Sequence, residues 1–319
     1  MKPRTRFPAV AMLFAALALT AQPPAQADIF GSGANAFTID FVYVGNAGNA
    51  ADTTGYGSVP YEYFISTHEI PVDSIAKATA GGLSNVSTGP WTGSQPAGQM
   101  SWYEAAAFVN WLNTNSGYQA AYNLTSSFGW SMSLWDEADA WTLGGTNLYR
   151  HKNTRYFLPS ENEWYKAAYY NPAGANYYLY PTASSTVPTN VPSGTNPGTA
   201  VFGQTGAQGP AAVTNAGGLS AYATMGQGGN LLEWLETAAD GTNSSPSENR
   251  AMRGGDWRSL ENELRSSNRF LFGLGPDSLA DNTGLRVAAV PEPSTCALLF
   301  MTVAGAFYIW SRRRRLGER

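Results

Sequence analysis

Cysteine is almost missing from this 319-residue chain. The single one, Cys296, lies in an apolar run near the C-terminus. Residues 28–290 therefore hold no disulfide, no thiolate nucleophile and no cysteine metal site. Histidine is nearly as scarce, with only His68 and His151. A three-histidine metal site is excluded. A Ser-His-Asp triad has only these two positions to use, and no G-x-S-x-G elbow accompanies either. Charge is thin as well, at 13% of residues, with a formal net charge of −4 and a pI near 5.3. No basic field is left to attract nucleic acid. The only concentrated basic patch is an arginine run at the C-terminus.

Glycine and aromatic residues are plentiful. With 13% aromatics and little charge, the composition is that of a loop-rich globular protein with a real core, not of a disordered chain. Both ends carry addressing signals. Lys2, Arg4 and Arg6 precede the apolar run Ala9–Leu19, and Ala25-Gln26-Ala27 has the A-x-A form of a signal-peptide cleavage site. Residues 1–27 are expected to be a signal peptide, with the mature chain starting at Asp28. At the other end, "VPEPS" leads into the apolar segment 294–310 and then into Arg312–Arg315. That span is at the short end of the roughly 17–25 residues a bilayer requires. The positive-inside rule keeps the arginines cytoplasmic. Subtracting the termini leaves about 260 residues, enough for one large domain.

Within the body, "FTIDFVYV" alternates apolar and polar residues as a strand and turns at Gly45-Asn46. "YEYFISTHEIPV", Tyr61 to Val72, is expected to be a second strand. "MSWYEAAAFVNWLN" begins with Ser101-x-x-Glu104, a capping box that satisfies two orphan backbone donors reciprocally. Ala105, Phe108, Val109 and Leu112 then share one helical face. "LPSENEWYKAAYYNP" repeats the design with Ser160 and Glu163, a stripe of Trp164, Ala167 and Ala168, and a stop at Asn171-Pro172. Capping explains Glu104 and Glu163 better than acid–base chemistry does. Residues 172–222 are rich in Gly, Pro, Ser, Thr and Asn and are too long for a simple loop. They form either an ordered coil held by metal or packing, or a mobile insertion. "RAMRGGDWRS", "RSSNRF" and "GLRVAAV" are expected to be short strands.

The ordered set "SWYEAAAFVNWLN", "FLPSENEWYKAAYY", "GGNLLEW", "RGGDW", "RSSNRF" and "GLRVA" resembles the formylglycine-generating-enzyme (sulfatase-modifying factor) domain, over most of residues 28–290. The resemblance implies an α+β fold related to C-type lectins, with few short strands, two main helices and much coil. The tail from Val290 to Arg315 resembles the PEP-CTERM sorting signal, which implies export and an exosortase-type processing enzyme as partner. The final location is then the inner membrane with the body in the periplasm, or the cell surface and matrix after tail processing.

Oxidases of the resembled family use a cysteine pair that binds copper, and soft thiolates are what select Cu(I). This body has no such pair, so copper is not expected as a cofactor and no residue is assigned as catalytic. The chain is expected to carry the fold without the oxidase chemistry, as a binding or structural module with a glycan or peptide ligand. A formylglycine-type oxidoreductase is the alternative.

The carboxylate of Glu233 in "GQGGNLLEWLE" sits among apolar residues and needs a partner. The resemblance implies a calcium ion held by Glu233 and by the carbonyls of Gly229 and Leu231, weakened because Gly226 has no side-chain oxygen to give. A second implied calcium site looks depleted at Ala200 and Ala211. The other reading of Glu233 is a buried pair with an arginine such as Arg253, or hydrogen bonds to turn N–H groups.

Overall fold

The structure, a computed structural model, describes residues 25–291 except 127, 128, 271 and 272. The strands that build it are β1 (Gln26–Phe30), β2 (Phe37–Val44), β3 (Tyr63–Ser66), β4 (Ala140–Trp141), β5 (Asn147–His151), β6 (Tyr156–Phe157), β7 (Leu232–Ala238), β8 (Arg250–Arg253), β9 (Thr283–Gly284) and β10 (Ala288–Ala289). The helices are α1 (Val72–Ala80), α2 (Trp102–Asn115) and α3 (Glu161–Tyr169). The fold is mixed α+β with much coil, as expected.

Alternation in β2 turns Phe37, Ile39 and Phe41 inward and Thr38 and Asp40 outward. This strand anchors an antiparallel sheet in the order β1–β2–β3–β10–β6. Helix α2 lies against it and buries Phe108, Val109 and Leu112 in the main core, with Phe157, Leu158 and Trp234. A smaller sheet runs β8–β7–β9, antiparallel on one side of β7 and parallel on the other.

Both capping boxes form. Ser101 Oγ accepts from Glu104 N–H, and Ser160 Oγ accepts from Glu163 N–H. Two expectations change. The strand expected over Tyr61–Val72 is only β3, and its end becomes the start of α1. Pro71 at the N-cap has an extended backbone, with φ −75°, and needs no donor there. Val72, Ile75 and Ala78 follow at helical spacing and are buried. "RSSNRF" is a turn, not a strand, with Asn268 N–H closing onto Arg265 O.

The coil of residues 172–222 is ordered by packing. Tyr180, Ala200, Val201 and Phe202 are buried in it. Asn230 N–H reaches Val201 O, and Val213 N–H reaches Ser94 O. Ala200 and Ala211 are core residues. Residues 1–24 and the expected membrane span 294–310 with its arginines lie outside the described residues. Among the described residues no helix is long and apolar enough to cross a membrane.

Candidate functional site

The glycine-rich loop Gly226–Leu231 wraps a carboxyl group, and that group belongs to Glu69. Leu231 N–H donates to Glu69 Oε1 at 2.9 Å, and Asn230 Nδ2 donates to Oε2. Gly226 has φ +81°, and a Cβ there would come within 2.9 Å of Glu69 Oε2. A close approach and a positive φ therefore favour glycine here. Gly229, also at φ +81°, passes Val201 O so closely that a Cβ would lie 2.0 Å from it. Burial, and then the nearby charge of Glu233, pushes the Glu69 carboxyl up to about 8. Glu69 was not singled out in the sequence, because its partners come from a loop about 160 residues away.

Glu233 points elsewhere. Arg286 Nη2 donates to its Oε1 at 3.0 Å, Arg286 Nε reaches Oε2 at 3.1 Å, and Trp164 Nε1 donates to Oε2 at 2.6 Å. Both members of the ion pair are fully buried. The remaining Arg286 donors go to the carbonyls of Ser66 and Met225, both at 2.6 Å. A calcium ion on Gly229, Leu231 and Glu233 does not fit here. Both carboxylate oxygens are engaged by Arg286 and Trp164, and the Arg286 guanidinium already balances the charge. Among the described residues no group of three or more His, Cys, Asp or Glu is placed to hold a metal.

The arginine suggested for Glu233 is also corrected. Arg253 is the cross-strand neighbour of Glu233 in register. Its guanidinium nevertheless turns to Glu161, with Nε donating to Oε1 at 2.7 Å, and Arg269 binds the same carboxylate at 2.8 Å. Arg286 sits in the "GLRVA" motif, but nothing local distinguishes it as the partner.

A second ionic cluster forms where β5, α3 and β7 meet. Arg150 Nε and Nη2 each donate to Glu236 at 2.8 Å, and Nη1 and Nη2 donate to Glu163 at 3.2 and 3.1 Å. Its guanidinium carbon lies 3.6 Å over the Phe157 ring. Tyr61 and Tyr122 hydroxyls and Asn147 Nδ2 complete the carboxylates, at 2.6, 3.0 and 2.5 Å. Burial raises the Glu236 carboxyl despite Arg150. Burial acts the same way on Glu163, but Arg150, Tyr61 and the Ser160 N–H outweigh it and hold that carboxyl below its usual range. Glu163 is thus both a cap and an ion-pair partner. The capping reading was right but incomplete.

A polar cavity of about 270 Å³ opens above this cluster, lined by Arg150, Tyr61, Trp141 and the first turn of α3. A larger one of about 450 Å³ lies beside Glu104, Trp130 and Asp277. His68 and Glu69 border a third, of about 210 Å³. Burial and the Arg286 charge lower the imidazole of His68 to about 4. His151 meets Trp135 edge to face in another part of the fold, with its Nδ1 accepting from Asn153 N–H. Among the other aromatic residues, Tyr122 and Tyr180 are core, while Trp91, Trp130, Trp135, Tyr177 and Tyr178 are half-buried.

The chain's relatives share this architecture. Variable protein 1 of Treponema denticola superposes with a TM-score of 0.59 at 19% identity, covering 85% of this chain and 100% of that one. CarF gives 0.54 at 18% identity, with 80% and 99% coverage. PvdO from Pseudomonas aeruginosa gives 0.51 at 16% identity, with 85% and 100% coverage. At these identities the likeness is one of fold. No curated protein matches the chain. The sulfatase-modifying factor enzyme 1-like domain matches residues 31–290, which take in β2 to β10, the helices α1 to α3 and both ionic clusters, and the chain belongs to that family.

Proposed function

We propose that this protein is an exported, membrane- or surface-anchored member of its family that works as a non-catalytic binding or structural module of the cell envelope or extracellular matrix. The observation that carries the reading is the absence of any cysteine between Asp28 and Val290. Oxidation of a substrate cysteine through a copper–thiolate pair has no ligand in such a body. The arginines and carboxylates of the interior support it too. Arg150 pairs with Glu163 and Glu236, Arg253 and Arg269 with Glu161, and Arg286 with Glu233, so these groups act as structural staples. The signal-like N-terminus and the Pro-Glu-Pro tail with its arginine run support export, anchoring and processing by an exosortase-type enzyme.

The test is direct. The purified protein is incubated with a cysteine-containing sulfatase peptide and copper, and aldehyde formation is followed by mass spectrometry. No conversion above a protein-free control is expected. Conversion above that control would establish the oxidoreductase reading instead.

A further inference from the structure

The cavity above Arg150 has two unlike walls. One is formed by the first turn of α3 and by β7. Three side chains there have each committed an acceptor to a backbone N–H. Ser160 Oγ accepts from Glu163 N at 3.3 Å, Thr237 Oγ1 from Glu161 N at 2.8 Å, and Asn162 Oδ1 from Gly57 N at 2.9 Å. Each still offers a donor to the cavity, two hydroxyl protons and one amide NH₂, beside the one lone pair left on its oxygen. One bond from a backbone N–H to each oxygen holds these side chains in place before any ligand arrives. All three residues line the cavity.

The other wall is largely carbon. Tyr61 and Trp141 meet edge to face with centroids 5.9 Å apart. The Gly144 turn closes down on them. It has φ +79°, and a Cβ there would lie 2.9 Å from Pro60 and 3.1 Å from Tyr61.

The charge beneath selects the ligand. All three guanidinium nitrogens of Arg150 donate to Glu163 or Glu236, so one cation already faces two carboxylates. An anion entering the cavity would meet those carboxylates with no free cation to receive it. A neutral, acceptor-rich ligand with one apolar face matches both walls. At about 270 Å³ the cavity is below the size of common drug-sized sites, which run from roughly 300 Å³ upward, and it holds about one ring. An extended peptide needs a groove instead.

Resting on the binding-module reading above, we propose that this cavity binds one neutral pyranose unit of a glycan. Its hydroxyl and ring oxygens accept from Ser160, Asn162 and Thr237, and its C–H face lies against Tyr61 and Trp141.

The test titrates the full chain with the methyl glycosides of glucose, galactose and mannose and with N-acetylglucosamine, followed by calorimetry and tryptophan fluorescence. Glucuronate and a blocked alanine peptide are the controls. Saturable binding of at least one neutral sugar is expected, with a Kd on the order of millimolar for so small a ligand. Asn162→Ala should weaken it about tenfold, the loss of one hydrogen bond. Thr146 is an exposed lining residue. Thr146→Trp should block the site while leaving the circular dichroism spectrum and melting unchanged. That variant decides the matter if Asn162→Ala fails to fold.

The proposal is overturned if no neutral sugar binds saturably, if glucuronate or the peptide binds as tightly, or if binding survives Thr146→Trp. None of these outcomes produces an aldehyde, so failure here leaves the absence of oxidase chemistry standing. Aldehyde formation would leave the sugar titration standing in turn.

Discussion

Arg286 and Arg150 are equally buried, at 0% and 1% exposure, and each faces carboxylates, yet their surroundings differ. Arg286 divides its donors among Glu233 and the carbonyls of Ser66 and Met225. It ties β3, the glycine-rich loop and β7 together. Arg150 gives its hydrogen bonds to carboxylates alone, stacks over Phe157 and Trp141, and borders an open cavity. A buried guanidinium that also takes backbone carbonyls fixes chain segments against one another. One matched only by carboxylates can sit at the edge of a site, because its charge is already balanced by side chains behind it.

The strongest way to break this comparison is Glu233→Gln. Removing one partner leaves a buried cation unpaired, which costs about 3–5 kcal/mol. At about 2–4 °C per kcal/mol for a domain of this size, the melting temperature should fall by roughly 10 °C in scanning calorimetry. Millimolar calcium and EDTA should leave both proteins unchanged. A calcium-dependent rise in melting that disappears in Glu233→Gln would instead restore the metal reading of Gly229, Leu231 and Glu233.

Glu236→Gln sharpens the contrast. Arg150 keeps Glu163 as its ion-pair partner, so the cost should be smaller, about 1–3 kcal/mol by urea denaturation. A cost equal to that of Glu233→Gln would mean that the two clusters are energetically alike.

A third test concerns pH. The folded-state carboxyl of Glu69 is raised from 4.5 to about 8, so the fold binds this proton more tightly than the unfolded chain does. Its contribution is fully present below pH 4.5 and is lost as pH rises toward 8. His68 works in the opposite direction. Its folded value is lowered from 6.5 to about 4, so stability is lost as pH falls across that window. The stability difference between wild type and Glu69→Gln isolates the first group. It should decline from pH 4.5 to 8 in denaturation curves taken at a series of pH values. A flat difference would show that Glu69 titrates normally.

Much of the framework was legible in the chain. The two capping boxes, the α2 and α3 stripes and the alternation of β2 each depend on residues within a few positions of one another. Helix α1 is hidden in the sequence because the apolar run before Pro71 continues the look of a strand until the period changes. Composition was decisive on thiols, since an absent cysteine is absent in any fold.

Partners were another matter. The sequence determined that Glu233 needs a counterpart, because an isolated carboxylate among Leu232, Trp234 and Leu235 is too costly to bury. Only the tertiary structure decided that the counterpart is Arg286, 53 residues on, and that the glycine-rich loop holds Glu69. The cavity beside α3 is likewise absent from any local pattern. Tyr61, Trp141, Asn162 and Thr237 lie on separate elements, and long-range pairing brings them to one wall or the other. Local periodicity records which side of an element is buried. It does not record what waits across the core.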